Sequence, residues 1–257
     1  MLSKYDRMWA GDIMQRYFID GNLKDVNEFN VADDQKKHIE KVMRCRNGDE
    51  VICIDEFSHV YLCEIIDVHQ GLLKKKNEID EEHELDVDIT LIYGLPKSDK
   101  FEFVLQKSTE LGVTRIVPFL SKRSIIKTDK KTFSKKYERF SRIVKEAAEQ
   151  SYRLKVPTVE PLMTIKELDQ YLSDVNLVAY EEASKAGEKS HFQQALMKDY
   201  KSITIIVGPE GGFDQSEIDY MKSLGIVECS LGKRILRSET APLYMLSVIG
   251  YTRELMK

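Results

Sequence analysis

Residues 203–241 read ITIIVGPEGGFDQSEIDYMKSLGIVECSLGKRILRSETA, and this stretch decides the fold. Its first five residues, 203–207, are β-branched and almost entirely apolar, which predicts a buried strand. The turn 208–212 follows it, and Asp214 with Glu217 three residues later forms the capping-box pattern of a new helix. A glycine-rich turn therefore leaves a buried strand and enters a helix. In an open α/β sheet, ligands bind at this position.

A second loop, at residues 231–241, follows the next apolar segment and leads into the last helix. Two such loops close together in sequence predict a cradle for one cofactor. Glycines, which lack a Cβ atom, permit positive φ and let a ligand approach main-chain groups directly. The pattern is neither a P-loop, since no Gly-Lys-Ser/Thr follows, nor the dinucleotide-binding fingerprint. A tight strand–helix turn without a ligand is the alternative interpretation, and the pattern alone leaves it open.

The composition limits the class of protein. The 257 residues suit one large domain or two smaller ones, and 42% hydrophobic with 32% charged residues is typical of a soluble globular protein. The four cysteines form no Cys-x-x-Cys pair and the five histidines form no cluster. This favours reduced thiols in a cytosolic protein without a metal site. No apolar run of about 18 residues and no signal-peptide core occur, so the sequence supports neither membrane insertion nor secretion.

Residues 14–84 form the first compositional unit, and residues 1–13 are a leader of uncertain order. The elements predicted for this unit are a strand near 15–20, a helix at 33–43, and strands at 51–54 and 60–68. Short strands joined by turns suggest a small β-barrel or curled sheet. Its basic residues, which include Arg16, are expected to be exposed. They would be either a solvated face or a surface that contacts phosphate groups.

Residues 85–257 form the second unit, after a boundary marked by three lysines at 74–76 and an acidic run at 78–88. Strand and helix patterns alternate from there, which is the signature of a parallel α/β layer. The predicted strands are 88–93, 113–119, 177–180, 203–207 and 226–231. The predicted helices are 100–111, 133–153 and 240–255, in addition to the helix after Asp214.

The sharpest charge asymmetry lies at residues 115–145. This segment holds eleven lysine or arginine residues against two acidic ones, Asp129 and Glu138, although the whole chain has a net charge of −4. Such a local excess is typical of a surface that binds a polyanion. A solvated helix face is the alternative, although clustered charge of one sign repels itself.

Several motifs together resemble one family, the RsmE family of 16S ribosomal RNA (uracil-N3)-methyltransferases in the SPOUT (α/β-knot) superfamily. The motifs are QRYF at 15–18, LPKSDK at 95–100, QKSTELGV at 106–113, EAAEQ at 146–150, VGPEGGF at 207–213 and the loop 231–241. They occur in family order and cover nearly everything from residue 14 onward. Ser98 stands where members often have glycine, and Ser238 stands where threonine is usual.

The resemblance implies an α/β fold of two domains. These are a PUA-like, RNA-binding β-barrel at 14–84 and a SPOUT methyltransferase domain at 85–257 with a parallel sheet and a trefoil knot. It also implies S-adenosyl-L-methionine as methyl donor, a homodimer formed through the knotted domains, and one uridine of 16S rRNA in the small ribosomal subunit as substrate. It implies no metal and no membrane partner, and a cytoplasmic location. A SPOUT enzyme that methylates a ribose 2′-hydroxyl or a tRNA base, and a non-catalytic ribosome-assembly factor, are the alternatives.

The resemblance also implies roles for individual residues. The cofactor-binding residues would be Glu181, Val207, Gly208, Pro209, Glu210, Gly211, Gly212, Leu231, Gly232, Ile235, Leu236, Arg237, Thr240 and Ala241. For catalysis, Arg237 and then Arg234 would stabilise the uracil anion, while Glu210 and Glu239 would handle the proton or orient those arginines. Helix capping is an equally good interpretation of Glu239. RNA contacts would come from Arg16, Lys97 and Arg123, so Arg16→Ala is expected to weaken RNA binding and flatten its salt dependence.

Overall fold

The computed structural model describes residues 14–97, 100–182 and 191–256. The leader at 1–13 and the departure at Ser98 lie outside these residues. The chain divides into two compact units. The first contains the described chain up to His83 together with Glu149–Lys155, and the second contains Glu84–Ala148 and the chain from Val156 onward.

The first unit is a curled sheet of mixed strands. In its described residues the strands are β1 (Arg16–Phe18), β2 (Glu28–Asn30), β3 (Glu50–Ile54), β4 (Val60–Asp67) and β5 (Leu72–Ile79). Their order across the sheet is β1-β3-β4-β5-β2; β1 pairs with β3 in parallel, and the other pairs are antiparallel. Apolar side chains are buried on both faces, because β3 and β4 contribute to two separate clusters. The predicted curled sheet is confirmed.

Two local predictions for this unit were inaccurate. The predicted helix at 33–43 is a short helix, α1 (Asp33–Lys37), followed by one wider turn, His38–Val42. The lysines at 74–76, where the sequence predicts the start of a domain boundary, lie inside β5. Cross-strand pairs explain why charge is tolerated there, since the Lys76 ammonium contacts Glu50 at 2.8 Å and Glu64 at 3.4 Å.

The second unit contains a parallel sheet. In the described chain its six strands are β6 (Asp88–Gly94), β7 (Arg115–Phe119), β8 (Thr158–Val159), β9 (Val175–Ala179), β10 (Ser202–Val207) and β11 (Val227–Cys229). Every pair is parallel, and the order is β11-β9-β10-β6-β7-β8. The predicted buried strand at 203–207 is confirmed and lies in the middle of the sheet, where both of its faces are covered.

Helices cover both faces of this sheet. They are α2 (Lys100–Glu110), α3 (Lys130–Ser134), α4 (Tyr137–Gln150), a 3₁₀ helix (Ile165–Tyr171), α5 (His191–Leu196), α6 (Gln215–Ser223) and α7 (Thr240–Gly250). Alternate residues of β10 enter opposite layers, so Ile203 and Ile205 pack with α2, α4 and α7, and Ile206 packs with α6. The helix predicted at 133–153 is wrong as one element, because α3 ends at Ser134 before α4 begins. Among the described helices, none is both long and apolar enough to cross a membrane.

The order of the strands creates a switch point. From β6 the chain proceeds through β7 and β8 toward one edge of the sheet, whereas β10, β9 and β11 lie on the other side of β6. Loops that leave neighbouring strands at such a point diverge and open a crevice at the carboxyl ends of the strands. The loop at 208–212 leaves β10 at this point, whereas the loop at 231–241 leaves β11 at the same end of the sheet but at its edge.

Candidate functional site

A cavity of about 930 Å³ opens at the carboxyl ends of β9, β10 and β11. Its walls are three segments that continue these strands, residues 179–182, 207–213 and 229–238, together with Lys100, Arg123, Gln215 and Ala241. This volume is within the range of pockets that hold drug-sized ligands and cofactors. The sequence pattern is compatible both with a ligand-binding turn and with a tight turn that binds no ligand. The cavity at this turn favours the ligand-binding interpretation.

The structure brings nearly all of the predicted cofactor-binding residues together. The residues that line the cavity are Glu181, Val207, Gly208, Pro209, Glu210, Gly211, Gly212, Leu231, Gly232, Ile235, Leu236, Arg237 and Ala241. Thr240 does not line it. It is the first residue of α7, and its N–H donates to the carbonyl of Arg237 at 2.9 Å.

Gly211 and Gly212 of the first loop are each glycine for a different physical reason. A Cβ atom on Gly211 would come within 2.8 Å of the backbone oxygen of Arg123, so this glycine is required by the close packing of protein against protein. Gly212 has φ +66°, and nothing lies within 4 Å of the position of its missing Cβ. A positive φ favours glycine, and the Gly212 N–H donates to the carbonyl of Pro209 at 2.9 Å, so this glycine serves the turn itself.

The buried Glu217 carboxylate fixes the loop that approaches Gly211. The capping box predicted for Asp214 and Glu217 is confirmed, since the Asp214 N–H donates to Glu217 Oε2 at 2.9 Å. The same carboxylate also accepts from the Ser121 hydroxyl and the Lys122 N–H, each at 2.9 Å. One side chain thus joins the start of α6 to the segment after β7 and places Arg123 at the cavity wall.

Lys100 connects the loops at 207–213 and 231–241, and it is not among the site residues predicted from the sequence. Its Nζ lies 3.2 Å from Glu210 Oε1 and 3.1 Å from Glu239 Oε2. Glu210 also accepts the Lys97 N–H at 3.1 Å, and Glu239 accepts the Ser238 hydroxyl at 3.2 Å. One signal could have found Lys100, because a cation at the first position of a helix is unfavourable unless another interaction holds it there.

These contacts keep the bridge ionised. The hydrogen bond to Glu239, followed by that to Glu210, raises the pKa of Lys100 above its ordinary value. Burial raises the pKa of Glu239, but hydrogen bonds from its own backbone N–H, from Lys100 and from Ser238 outweigh burial, so this pKa is lower than usual. A carboxylate with a lowered pKa is a weak proton acceptor. Glu239 is therefore better placed to hold the loop than to remove a proton.

The predicted catalytic arginines are exposed. Arg234 and Arg237 both line the cavity, and neither forms a salt bridge with any residue that the structure describes. Glu210 and Glu239 contact Lys100 rather than these arginines. Between the arginines, the Ile235 side chain is 76% exposed. The loop thus presents two available cations and one apolar side chain at the mouth of the cavity.

The three predicted RNA-binding residues have different environments. Arg123 lines the cavity wall with its side chain about half exposed. Lys97 is exposed just outside the cavity, and its N–H binds Glu210. The prediction that Arg16 is exposed is wrong, since the residue is 4% exposed. Its guanidinium pairs with Glu81 at 2.5 Å and lies 4.7 Å from the ring centre of Tyr152. A buried, paired guanidinium is a structural element of the first unit and is not available to a phosphate.

The basic segment at 115–145 is only partly neutralised. The pairs within the described residues are Arg115 with Glu160, Lys122 and Arg123 with Asp214, Lys130 with Glu167, Arg139 with Glu102 and Arg142 with Glu138. Lys131, Lys135 and Lys136 are exposed and form no salt bridge with any described residue. Positive charge therefore remains available at and just after α3.

Comparison with known proteins places this architecture in a family. Residues 83–250 match the family model of an RNA methyltransferase domain, and residues 31–75 match that of an RNA methyltransferase PUA domain. A ribosomal RNA small subunit methyltransferase E from Bacillus subtilis (strain 168) is 41% identical over 257 aligned positions, which cover 95% of this chain and 99% of that protein. This chain belongs to the ribosomal RNA small subunit methyltransferase E family. It is an RNA methyltransferase, and its first unit is PUA-like.

Further relatives extend this assignment. A family member from Synechocystis sp. (strain ATCC 27184 / PCC 6803 / Kazusa) is 32% identical over 219 positions, which cover 84% of this chain and 70% of that protein. The crystal structure of a family member from Neisseria gonorrhoeae, bound to S-adenosyl methionine, superposes with a TM-score of 0.80 at 30% identity. That match covers 92% of this chain and 96% of the other. Within residues 14–97, 100–182 and 191–256, no group of acidic, histidine or cysteine side chains is arranged to hold a metal ion.

Proposed function

We propose that this protein transfers the methyl group of S-adenosyl-L-methionine to N3 of one uridine in 16S ribosomal RNA. The observation that carries the proposal is the cavity bounded by the loops after β9, β10 and β11, in a chain that belongs to the methyltransferase E family. The division into an RNA-binding domain at 14–84 and a methyltransferase domain at 85–257 belongs to the same proposal, and so does a cytoplasmic location.

The side chains and backbone of the cavity fit this donor. Gly212 and Gly232 have positive φ, and no atom lies within 4 Å of the positions of their missing Cβ atoms, so there is open space beside both glycines. Leu231, Ile235 and Leu236 offer apolar surface, and the Glu210 carboxylate offers negative charge to a cation. When bound, S-adenosyl-L-methionine supplies an electrophilic methyl group on a positively charged sulfur.

The chain's own residues would act on the uracil. Its N3 proton must leave, and the resulting negative charge on the ring must be stabilised. Arg237 and Arg234 suit the second task, because both are exposed cations at the cavity that no described carboxylate neutralises. Lys100 pairs with both predicted glutamates, but Glu210 lines the cavity and Glu239 does not, so Glu210 is our candidate for the proton acceptor.

RNA would be bound by positive charge around the cavity. Arg123 and Lys97 remain our proposed contacts near the donor site, and the unpaired lysines at 131, 135 and 136 would bind phosphates farther away. Following the family resemblance, we also propose that the loops at 207–241 are part of a trefoil knot and that two chains form a homodimer through this domain. The PUA-like unit would also bind the RNA.

The proposal is tested by methyl transfer from labelled S-adenosyl-L-methionine to small ribosomal subunits from a strain that lacks the modification. The RNA is then digested and the nucleosides are identified by mass spectrometry. We expect label in 3-methyluridine at one position. Label in another nucleoside, such as a 2′-O-methylated one, would contradict the proposed position. Failure of both transfer and donor binding would instead favour a non-catalytic assembly factor.

A further inference from the structure

Lys100 lies at a helix position that is unfavourable for a cation, and two carboxylates hold it there. It is the first residue of α2, where the partial positive charge of a helix N-terminus disfavours a cation. Its ammonium nevertheless sits between two carboxylates that come from different loops, Glu210 after β10 and Glu239 before α7. Three separate segments of the chain therefore meet at one nitrogen atom.

Each carboxylate also accepts a hydrogen bond from a second residue. Glu210 accepts the Lys97 N–H, with distances of 3.1 and 3.3 Å to its two oxygens. Glu239 accepts the Ser238 hydroxyl at 3.2 Å. Both carboxylates thus lie within 3.2 Å of one ammonium, and among the described residues Lys100 is the cation that forms salt bridges with them. Charges of like sign at this separation disfavour each other strongly.

We propose that Lys100 is a positioning residue that holds the loops 207–213 and 231–241 at the spacing needed to bind the methyl donor. It does so by neutralising the repulsion between Glu210 and Glu239. The inference rests on the proposed function only in the identity of the donor. Lys100 itself need not touch the reacting atoms, since its ammonium is already occupied by the two carboxylates.

Three variants separate the effect of the Lys100 charge from the effect of its side-chain volume. Lys100→Met keeps most of the length of the side chain but leaves two carboxylates facing each other, so the loops should separate. The double variant Lys100→Met/Glu239→Gln removes one negative charge together with the positive one, so much of the spacing should return. Lys100→Arg keeps the charge and should retain most of the donor affinity.

A matched control lies on the same helix. Lys107 pairs with Glu110 at 2.8 Å, and its side chain is 38% exposed against 35% for Lys100. Its partner is one turn away on α2 and belongs to neither loop. Lys107→Met should therefore remove a salt bridge of similar exposure without changing donor binding.

The test is calorimetric titration of the full-length variants with S-adenosyl-L-methionine and with S-adenosylhomocysteine, which lacks the sulfonium charge. Thermal unfolding without ligand is measured in parallel. For Lys100→Met we expect a loss of about tenfold in affinity for both ligands and a lower unfolding midpoint. We expect both to recover in large part in the double variant, and Lys107→Met to bind like the wild type.

Two results would overturn the proposal. One is a Lys100→Met protein that binds both ligands like the wild type, or a double variant that binds no better than the single one. The other is a Lys100→Met protein that gains affinity for S-adenosyl-L-methionine relative to S-adenosylhomocysteine, which would show that Lys100 acts by repelling the sulfonium charge and not by holding the loops. If the wild type itself bound neither ligand, the proposed function would fail, whereas the unfolding midpoints would still report whether Lys100 joins the loops.

Discussion

Single residues were hardest to predict where their partners are distant in the sequence. Arg16 was expected to be exposed, yet it pairs with Glu81, 65 residues away, in the core of the first unit. Lys100 was passed over although it joins two loops more than 100 residues away from it. A charged residue looks the same in the sequence whether it will be solvated or buried. Whether it is buried depends on which residue of opposite charge the fold places beside it.

The burial of Arg16 leads to a prediction about stability. Replacing one member of a buried ion pair leaves the other charge unpaired, so Arg16→Met should cost about 3 kcal/mol in the stability of the first unit. Hydrogen exchange of the Ile52 amide, which binds the Gln15 carbonyl beside Arg16, measures this loss. Adding Glu81→Leu should restore most of the protection. The prediction fails if Arg16→Met exchanges like the wild type and instead changes only the salt dependence of RNA binding.

Elements were predictable where their signals are local. The strand at 203–207 and the capping box of α6 follow from a few adjacent residues, and both are confirmed. The sequence does not predict β5, because its three lysines resemble a linker, while the carboxylates that pair with Lys74 and Lys76 lie in the distant strands β2, β3 and β4. β8 was missed because two residues are too short for any periodicity. Most of the cavity lining was predictable for the same local reason, since it comes from two contiguous loops.

Glu217 shows how a local signal acquires a distant role. Its carboxylate accepts three hydrogen bonds while it is almost fully buried, and an amide in its place would turn N–H groups toward some of the same donors. Glu217→Gln should therefore cost about 2 kcal/mol in unfolding free energy and weaken donor binding, because Arg123 would lose its place beside Gly211. Urea unfolding and calorimetric titration measure the two effects.

The control for this variant is the other capping-box glutamate. Glu167 caps Thr164 in the same way, but its side chain is about one-third exposed and lies outside the cavity lining. Glu167→Gln should change stability by less than about 1 kcal/mol and leave donor affinity unchanged. Equal effects of the two substitutions would show that capping alone, and not the link to Ser121 and Lys122, is what Glu217 contributes.

At the scale of the whole molecule, the alternation of strands and helices predicted a parallel α/β layer, and that is confirmed. The sequence could not predict the strand order, because nothing in the apolar run of β10 says that it lies between β6 and β9. The distribution of charge was more informative than its sum. A chain of net charge −4 has three exposed lysines, at 131, 135 and 136, that form no salt bridge with a carboxylate in the described chain.

These three lysines yield a prediction about salt. If each neutralises one phosphate of the RNA, the logarithm of the binding constant falls less steeply with the logarithm of salt concentration once they are removed. Replacing Lys131, Lys135 and Lys136 with glutamine should reduce that slope by about 2 to 3, without changing donor affinity. Filter binding to the small-subunit RNA across a salt series measures this slope.

The matched control replaces three exposed lysines elsewhere on the second unit, Lys166, Lys198 and Lys201. Because both variants change the net charge equally, a slope that falls by the same amount in both would mean that overall charge, and not a surface near α3, governs RNA binding.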